Sequence, residues 1–165
     1  MKKFTALIAM SFMAMTIGWI NTPVADEAKE EWLFVQTAEK AEATSETTLV
    51  MLSGRDIFAF TDRPYRKHGY MTTEKFASLW DEDGTFKEDP PNAVLTWVSG
   101  EDMKESEILI NGAEWHSDGR VTYSYTVEAG DAPEQSMSTP SFFVDQHNGT
   151  GGLNEKFSPA GAISE

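Results

Sequence analysis

The chain has 165 residues, and 13 Lys and Arg stand against 27 Asp and Glu, which gives a formal net charge of −14. A surface this acidic repels nucleic acid and anionic lipid, so we expect no nucleic-acid partner and no membrane partner once the leader described below is removed. The absence of cysteine excludes disulfides, thiol nucleophiles and Cys-ligated metal sites. We therefore expect a hydrophobic core, without cofactors, to hold the fold together.

The first 25 residues have the layout of a secretory signal peptide. Lys2 and Lys3 precede an uncharged apolar run at 4–20, and Ala25 closes the polar break that follows. This order predicts a periplasmic or secreted protein that is cleaved after residue 25. The apolar run is also near the lower length limit for a membrane-spanning helix, so an uncleaved anchor is the alternative.

Short β-rich runs alternate with turn signals along the rest of the chain. The clearest is 121–127, in which apolar and polar residues alternate with the period of a strand. The predicted strands are 32–38, 47–52, 56–61, 93–98, 107–110, 121–127 and 141–145. The spacing predicts an all-β domain over 26–146, a sandwich or a partly open barrel. We favour a mainly antiparallel β-sandwich of about seven to eight strands.

Three local signals refine this architecture. Asp118-Gly119 favours a two-residue hairpin turn. Thr72 is a typical helix N-cap, and an apolar stripe at i, i+3, i+4 begins at Phe76, which together predict one inserted α-helix near 72–80. The composition of 147–165, rich in Gly, Ser and Asn, predicts a disordered tail.

The densest polar cluster in the sequence is 61–69, directly after a predicted strand. It contains Asp62, Arg63, Arg66 and His68 in a chain that is poor in positive charge. Two arginines on a loop can hold a carboxylate or phosphate through their forked donors, with Asp62 orienting them. The alternative, to which we give more weight, is that these side chains tie the loop to itself and to its neighbours.

A second stretch, Asp89-Pro90-Pro91-Asn92, forms a stiff turn. We give more weight to a simple strand-entry turn than to a binding loop. If the protein has a ligand-binding site, we expect Asp89 and Asn92 to lie beside the 62–69 loop and to complete the site with it. The three histidines have no metal-ligand spacing, and the acidic residues fit no calcium-loop register, so no metal site is predicted.

The spacing of these motifs resembles that of a family of small secreted proteins, predicted from bacterial and algal genomes, that has no assigned activity. The residues that carry the resemblance are Asp62-Arg63-Pro64, Arg66, Gly69, Thr72-Thr73, Phe76, Trp80, Phe86, Asp89-Pro90-Pro91-Asn92-Ala93 and Leu95. The resemblance covers roughly residues 32–145 and implies secretion, but it carries no chemistry across. Members of the family have Gly-His before the Thr pair, where this chain has Gly69-Tyr70-Met71.

The leading hypothesis is a non-enzymatic binding or accessory module, without catalytic residues, for a small anionic ligand or a protein partner. A hydrolase with His68 as base near Asp62 is one alternative, and it requires a carboxylate within hydrogen-bond reach of His68 in a concave pocket. A structural protein that interacts with the cell envelope is another, and it requires a large exposed apolar patch. We expect most of the Trp and Tyr side chains to lie in the core rather than to form a sugar-binding platform.

Overall fold

The structure is a computed structural model, and it describes residues 30–52 and 56–146 together with the backbone of a strand at 160–163. The predicted leader and most of the predicted tail lie outside the described residues. No helix within the described ranges has the length and the apolar character needed to cross a membrane.

Strands dominate the described chain, which confirms the predicted all-β class with an inserted helical segment. In chain order the strands are β1 (Trp32–Thr37), β2 (Lys40–Ser45), β3 (Thr48–Leu52), β4 (Ile57–Thr61), β5 (His68–Met71), β6 (Asn92–Ser99), β7 (Asp102–Trp115), β8 (Arg120–Gly130), β9 (Met137–Asp145) and β10 (Ala160–Ile163). The helices are α1 (Thr73–Ala77), which continues into a 3-10 turn (Ser78–Trp80), and α2 (Thr85–Glu88). The strands β2, β5 and β10 and the helix α2 were not predicted from the sequence. β10 lies within the segment predicted to be a disordered tail.

The strands form one antiparallel sheet in the order β10-β5-β4-β1-β9-β2-β3-β8-β7-β6. An additional pairing joins β6 to β9 and closes the part of the sheet that runs from β9 through β2, β3, β8 and β7 to β6. At the seam Phe142 pairs with Gln36 of β1 on one side and with Leu95 of β6 on the other. The layers predicted as a sandwich are therefore parts of one sheet, which has no free edge where it closes.

The core fills the inner face of this sheet. In β8 the residues Val121, Tyr123 and Tyr125 are buried, as the alternation in the sequence predicts. Of the tryptophans in the described chain, Trp115 is the exception to burial, with 37% of its surface exposed. The prediction that the large aromatic residues are mostly core is thus confirmed.

The helical segment packs against β7 from the inner side. The hydroxyl of Thr72 accepts a hydrogen bond from the Lys75 N–H at 3.2 Å, which confirms the predicted N-cap. The indole N–H of Trp80 donates to the Ile110 carbonyl at 3.0 Å. The rings of Phe76 and Trp80 meet edge to face with their centroids 5.3 Å apart. The predicted stripe therefore covers the core and is fixed to the sheet by a directional bond.

The predicted hairpin between β7 and β8 is present, but the prediction of a two-residue turn was wrong. The His116 N–H donates to the Arg120 carbonyl, and the Gly119 N–H donates to the His116 carbonyl. Three residues therefore form the loop, and Gly119 takes the left-handed position with φ 85°. A three-residue loop of this kind is the commonest alternative to the two-residue turn.

Candidate functional site

The predicted site at 62–69 comprises the turn of the β4–β5 hairpin, residues 62–67, and the first two residues of β5. The Asp62 carboxylate accepts a hydrogen bond from the Arg63 N–H at 2.6 Å, and the Asp62 carbonyl accepts one from the Arg66 N–H at 3.2 Å. The turn is closed by a bond from the Thr61 N–H to the Lys67 carbonyl at 2.8 Å. These bonds support the interpretation of Asp62 as an internal tie rather than as an orienter of the arginines.

The two arginines do not form a clamp. Arg63 and Arg66 are exposed, and neither side chain forms an ion pair or hydrogen bond with another described residue. Neither of the two grooves described below is lined by them. The basic residue of this turn that is engaged is Lys67, whose ammonium lies 2.7 Å from the Glu30 carboxylate.

His68 belongs to β5 rather than to the loop. Its side chain is exposed, and its ring centroid lies 6.3 Å from that of Phe58. Within the described ranges no carboxylate lies within hydrogen-bond distance of His68. The geometry that the hydrolase alternative requires, a histidine beside a carboxylate, is thus not formed by Asp62 and His68.

Asp89 and Asn92 do not lie beside the predicted loop. Asn92 opens β6, and it is connected to His68 through the paired residues Asp145, Leu33 and Phe60 on the intervening strands. Four strand spacings correspond to about 19 Å along the sheet. The predicted proximity was therefore wrong for Asn92. Asp89 is the exposed C-cap of α2, and no hydrogen bond or ion pair joins its side chain to the turn within the described ranges.

The outer face of the sheet, which points away from the core, carries a row of apolar side chains on adjacent strands. Directly paired residues form this apolar row, which runs through Tyr70, Phe58, Val35, Phe143 and Val94. Tyr70 is 58% exposed and Phe143 is 46% exposed. The solvent-facing side of an antiparallel sheet is usually polar, so a row that crosses five strands is an unusual surface.

Part of this row forms the floor of an open groove of about 330 Å³, which we call the outer groove. Leu33 and Phe60 widen its apolar floor, and three carboxylates line it. The carboxylates belong to Glu107, Glu128 and Asp145. Glu107 is the direct cross-strand partner of Val94, so a carboxylate stands at one end of the apolar row.

The aromatic side chains of this face turn their rings toward each other. Phe58 and Phe60 stack with their centroids 5.6 Å apart and an interplanar angle of 23°, and Tyr70 tilts against Phe58 at 5.3 Å. One ring face of Phe58 is therefore covered by Phe60. This arrangement favours contact with aliphatic groups over the open stacking faces that bind sugar rings.

A second, more polar groove of about 500 Å³ lies at the β2–β3 turn. The hydroxyl of Tyr125 donates to the Ser45 carbonyl at 3.4 Å there. Burial, and then the negative charge of Glu46, raise the pKa of this hydroxyl. Tyr125 thus serves as a neutral donor that ties two strands.

Within the described ranges no three His, Asp or Glu side chains come close enough together to hold a metal ion.

The outer groove was missed by the sequence analysis, although the sequence carries a signal for it. In a strand with one face open to water, apolar and polar residues alternate. The runs Trp32–Val35, Ile57–Phe60 and Phe142–Val144 are instead apolar on both faces. Such runs indicate a strand with two covered faces. The inner face is covered by the core, so the outer face is the one without a cover in the described chain.

Comparisons with protein-family models, with curated proteins and with solved structures found no match for this chain. The resemblance of its motif spacing to a family of small secreted proteins therefore stays a prediction.

Proposed function

We propose that the protein is a secreted or periplasmic, non-enzymatic binding module, and that its outer groove holds a basic, amphipathic peptide segment of a protein partner. The observation that carries the proposal is the apolar row across adjacent strands with carboxylates beside it. Export rests on the leader sequence, and the binding role rests on the groove.

The apolar part of the site supplies the affinity. Phe143 lies in the row between Val35 and Val94, and about half of its surface is open to water. Each Å² of apolar surface removed from water stabilises a complex by roughly 25 cal/mol, before the costs of association. An occupant with two or three aliphatic side chains fits the row.

The charged part of the site supplies the selectivity. Glu107 and Glu128 lie at the β7–β8 side of the groove and Asp145 lies on β9, so a lysine or arginine next to an apolar residue of the partner can reach a carboxylate. The net charge of −14 also attracts cations over a longer range. An anionic ligand is repelled at this groove, which favours a basic protein segment over the small anionic ligand.

The apolar row also favours a second candidate, a structural protein of the cell envelope. In that role the same face packs permanently against an apolar surface, and the three carboxylates contribute nothing. The two candidates differ in their dependence on charge.

A peptide titration tests the proposal. The probe is a fluorescent hexapeptide of alternating Leu and Lys, and the comparison peptide alternates Leu and Glu; anisotropy reports binding. We expect Phe143→Ser to weaken binding of the Lys peptide about tenfold, which is about 1.4 kcal/mol, and Glu107→Gln to weaken it less while flattening its salt dependence.

The matched control is Met103→Ser, because Met103 is 72% exposed and lies outside the groove. This control should bind as the unchanged protein does. Equal binding of the Lys and Glu peptides would favour the structural candidate. Undiminished binding by a folded Phe143→Ser protein would refute the groove as the site.

A further inference from the structure

The free backbone groups of β5 are identified by the hydrogen bonds of the turn before it. The Thr61 N–H donates to the Lys67 carbonyl, and hydrogen-bonded and non-bonded pairs alternate along antiparallel strands. The next pair, Phe60 with His68, is therefore non-bonded, as is the pair that contains Tyr70. The backbone N–H and C=O groups of His68 and Tyr70 consequently point away from β4, toward the edge of the sheet.

A segment of the same chain occupies this edge. β10 pairs in antiparallel orientation with β5, and the two partners that it finds there are Tyr70, opposite Ala160, and His68, opposite Ile163. These are the two β5 residues whose backbone groups face outward. The pairing thus satisfies an edge that would otherwise template another strand.

The two strands of this contact, β5 and β10, differ in how firmly they are held in the sheet. β5 is held to β4 by four consecutive pairs and by the turn at 62–67. β10 is held by two pairs, with an irregularity between them, and its sequence Ala-Gly-Ala-Ile includes a single β-branched residue. Gly and Ala are poor strand formers, so β5 is held in the sheet more firmly than β10 is.

We infer that the outer edge of β5 is an acceptor site for an extended, uncharged peptide strand of a partner, and that residues 160–163 are its built-in, displaceable occupant. Strand addition of this kind gives affinity through main-chain hydrogen bonds. Tyr70 also begins the apolar row, so a strand added here continues the sheet beside that row. The inference stands independently of the proposed peptide in the outer groove.

The link between β9 and β10 affects how strongly β10 competes with a partner strand. Fourteen residues, 146–159, join β9 to β10. A segment of the same chain binds intramolecularly, and its effective concentration is set by the connection between the two sites. A partner strand must compete against that concentration, so the tail sets a threshold for binding at this edge.

Amide hydrogen exchange on the full chain tests the inference. The variant Ala160→Pro/Ile163→Pro removes the backbone donors of the two β10 residues that lie opposite Tyr70 and His68, and Gly151→Pro/Gly152→Pro is the matched control outside the strand. We expect the first variant to lose about tenfold or more of the protection at His68 and Tyr70 and the control to keep it. The amides of Gly69 and Tyr123 report that the hairpin and the core remain folded.

A synthetic peptide with the sequence of residues 157–165 is then added in trans. It should restore the protection at His68 and Tyr70 in the first variant, and it should bind the unchanged protein at least about tenfold more weakly. The inference is overturned if His68 and Tyr70 stay protected in the variant, if the peptide fails to restore protection, or if the variant and the unchanged protein bind the peptide equally.

Discussion

The hydroxyl of Tyr123 on β8 donates a hydrogen bond to the side-chain oxygen of Gln36 on β1, inside the sheet. The two residues are 87 positions apart in the chain, and both are essentially inaccessible to water. The side-chain nitrogen of Gln36 has no hydrogen-bond partner among the described residues. This buried pair therefore depends on one bond, and that bond joins two strands that are not neighbours in the sheet.

The first prediction concerns this pair. Tyr123→Phe should lower the free energy of unfolding by about 1–3 kcal/mol, because it leaves the Gln36 amide buried without any partner. The double variant Gln36→Leu/Tyr123→Phe should recover much of that loss, since no polar group then remains unpaired. Urea unfolding of the two single variants and the double variant measures the coupling. Strictly additive losses would contradict the argument.

The second prediction follows from the ionisation of Tyr123. Burial raises the pKa of its hydroxyl far above the ordinary value of 10.0, and the bond to Gln36 acts in the opposite direction but is the smaller effect. Below pH 10 neither the folded nor the unfolded chain ionises this group, so it has no effect on the pH dependence there. Above pH 10 the unfolded chain loses a proton that the folded chain keeps, so stability falls as pH rises.

The expected contribution of Tyr123 is a slope of about −1.4 kcal/mol per pH unit above pH 10. Tyr123→Phe should remove it, so its stability should fall less steeply than that of the unchanged protein. Urea unfolding between pH 9 and 11.5 measures the two slopes. Identical slopes would show that this hydroxyl reaches water.

The third prediction compares two glycines. A Cβ at Gly84 would lie 2.7 Å from the Ser78 carbonyl oxygen and closer still to the carbonyl of Leu79, and backbone atoms cannot move aside cheaply. Gly84→Ala should therefore cost about 2–4 kcal/mol of stability and loosen the contact between α2 and the 3-10 turn. At Gly112 the nearest atom is the Cβ of Ser124 at 3.8 Å, so Gly112→Ala should be tolerated. Thermal unfolding of both variants makes the comparison.

The fourth prediction separates the two readings of the 62–67 turn. Asp62→Ala should cost about 1 kcal/mol, because the Arg63 N–H loses the carboxylate that it donates to. Arg63→Ala should change the melting temperature little, since the exposed Arg63 side chain forms no hydrogen bond or ion pair with a described residue. A large loss of stability in Arg63→Ala, with Asp62→Ala unaffected, would show that the Arg63 side chain and not the Asp62 carboxylate stabilises the turn.

The local predictions succeeded where a few adjacent residues determine the conformation. Thr72 caps its helix because the cap needs only a hydroxyl and an N–H three residues later. The alternation in β8 placed Tyr123 and Tyr125 in the core because the strand period is a property of the backbone itself. β2 was missed, because its polar sequence at Lys40–Ser45 becomes a strand by pairing with β3 and β9.

The predicted site failed for the complementary reason. The 62–69 loop and Asn92 were expected to lie side by side if a site exists, but the order of the strands separates β5 from β6. The outer groove was missed because its residues belong to six strands, β1, β4, β6, β7, β8 and β9, and come together only through pairing. The two-sided apolar runs in three of these strands were the available signal, and it did not specify which face is uncovered.

The sequence by itself determined the all-β class, the helix cap and the burial of the aromatic residues. Each of these follows from backbone periods and from the preference of apolar groups for the interior, which act over a few residues. The tertiary structure alone decided that the sheet closes between β6 and β9, which side chains share the outer groove, and which segment covers the edge of β5. Those features depend on contacts between residues far apart in the chain, and the register that selects them is a property of the whole sheet.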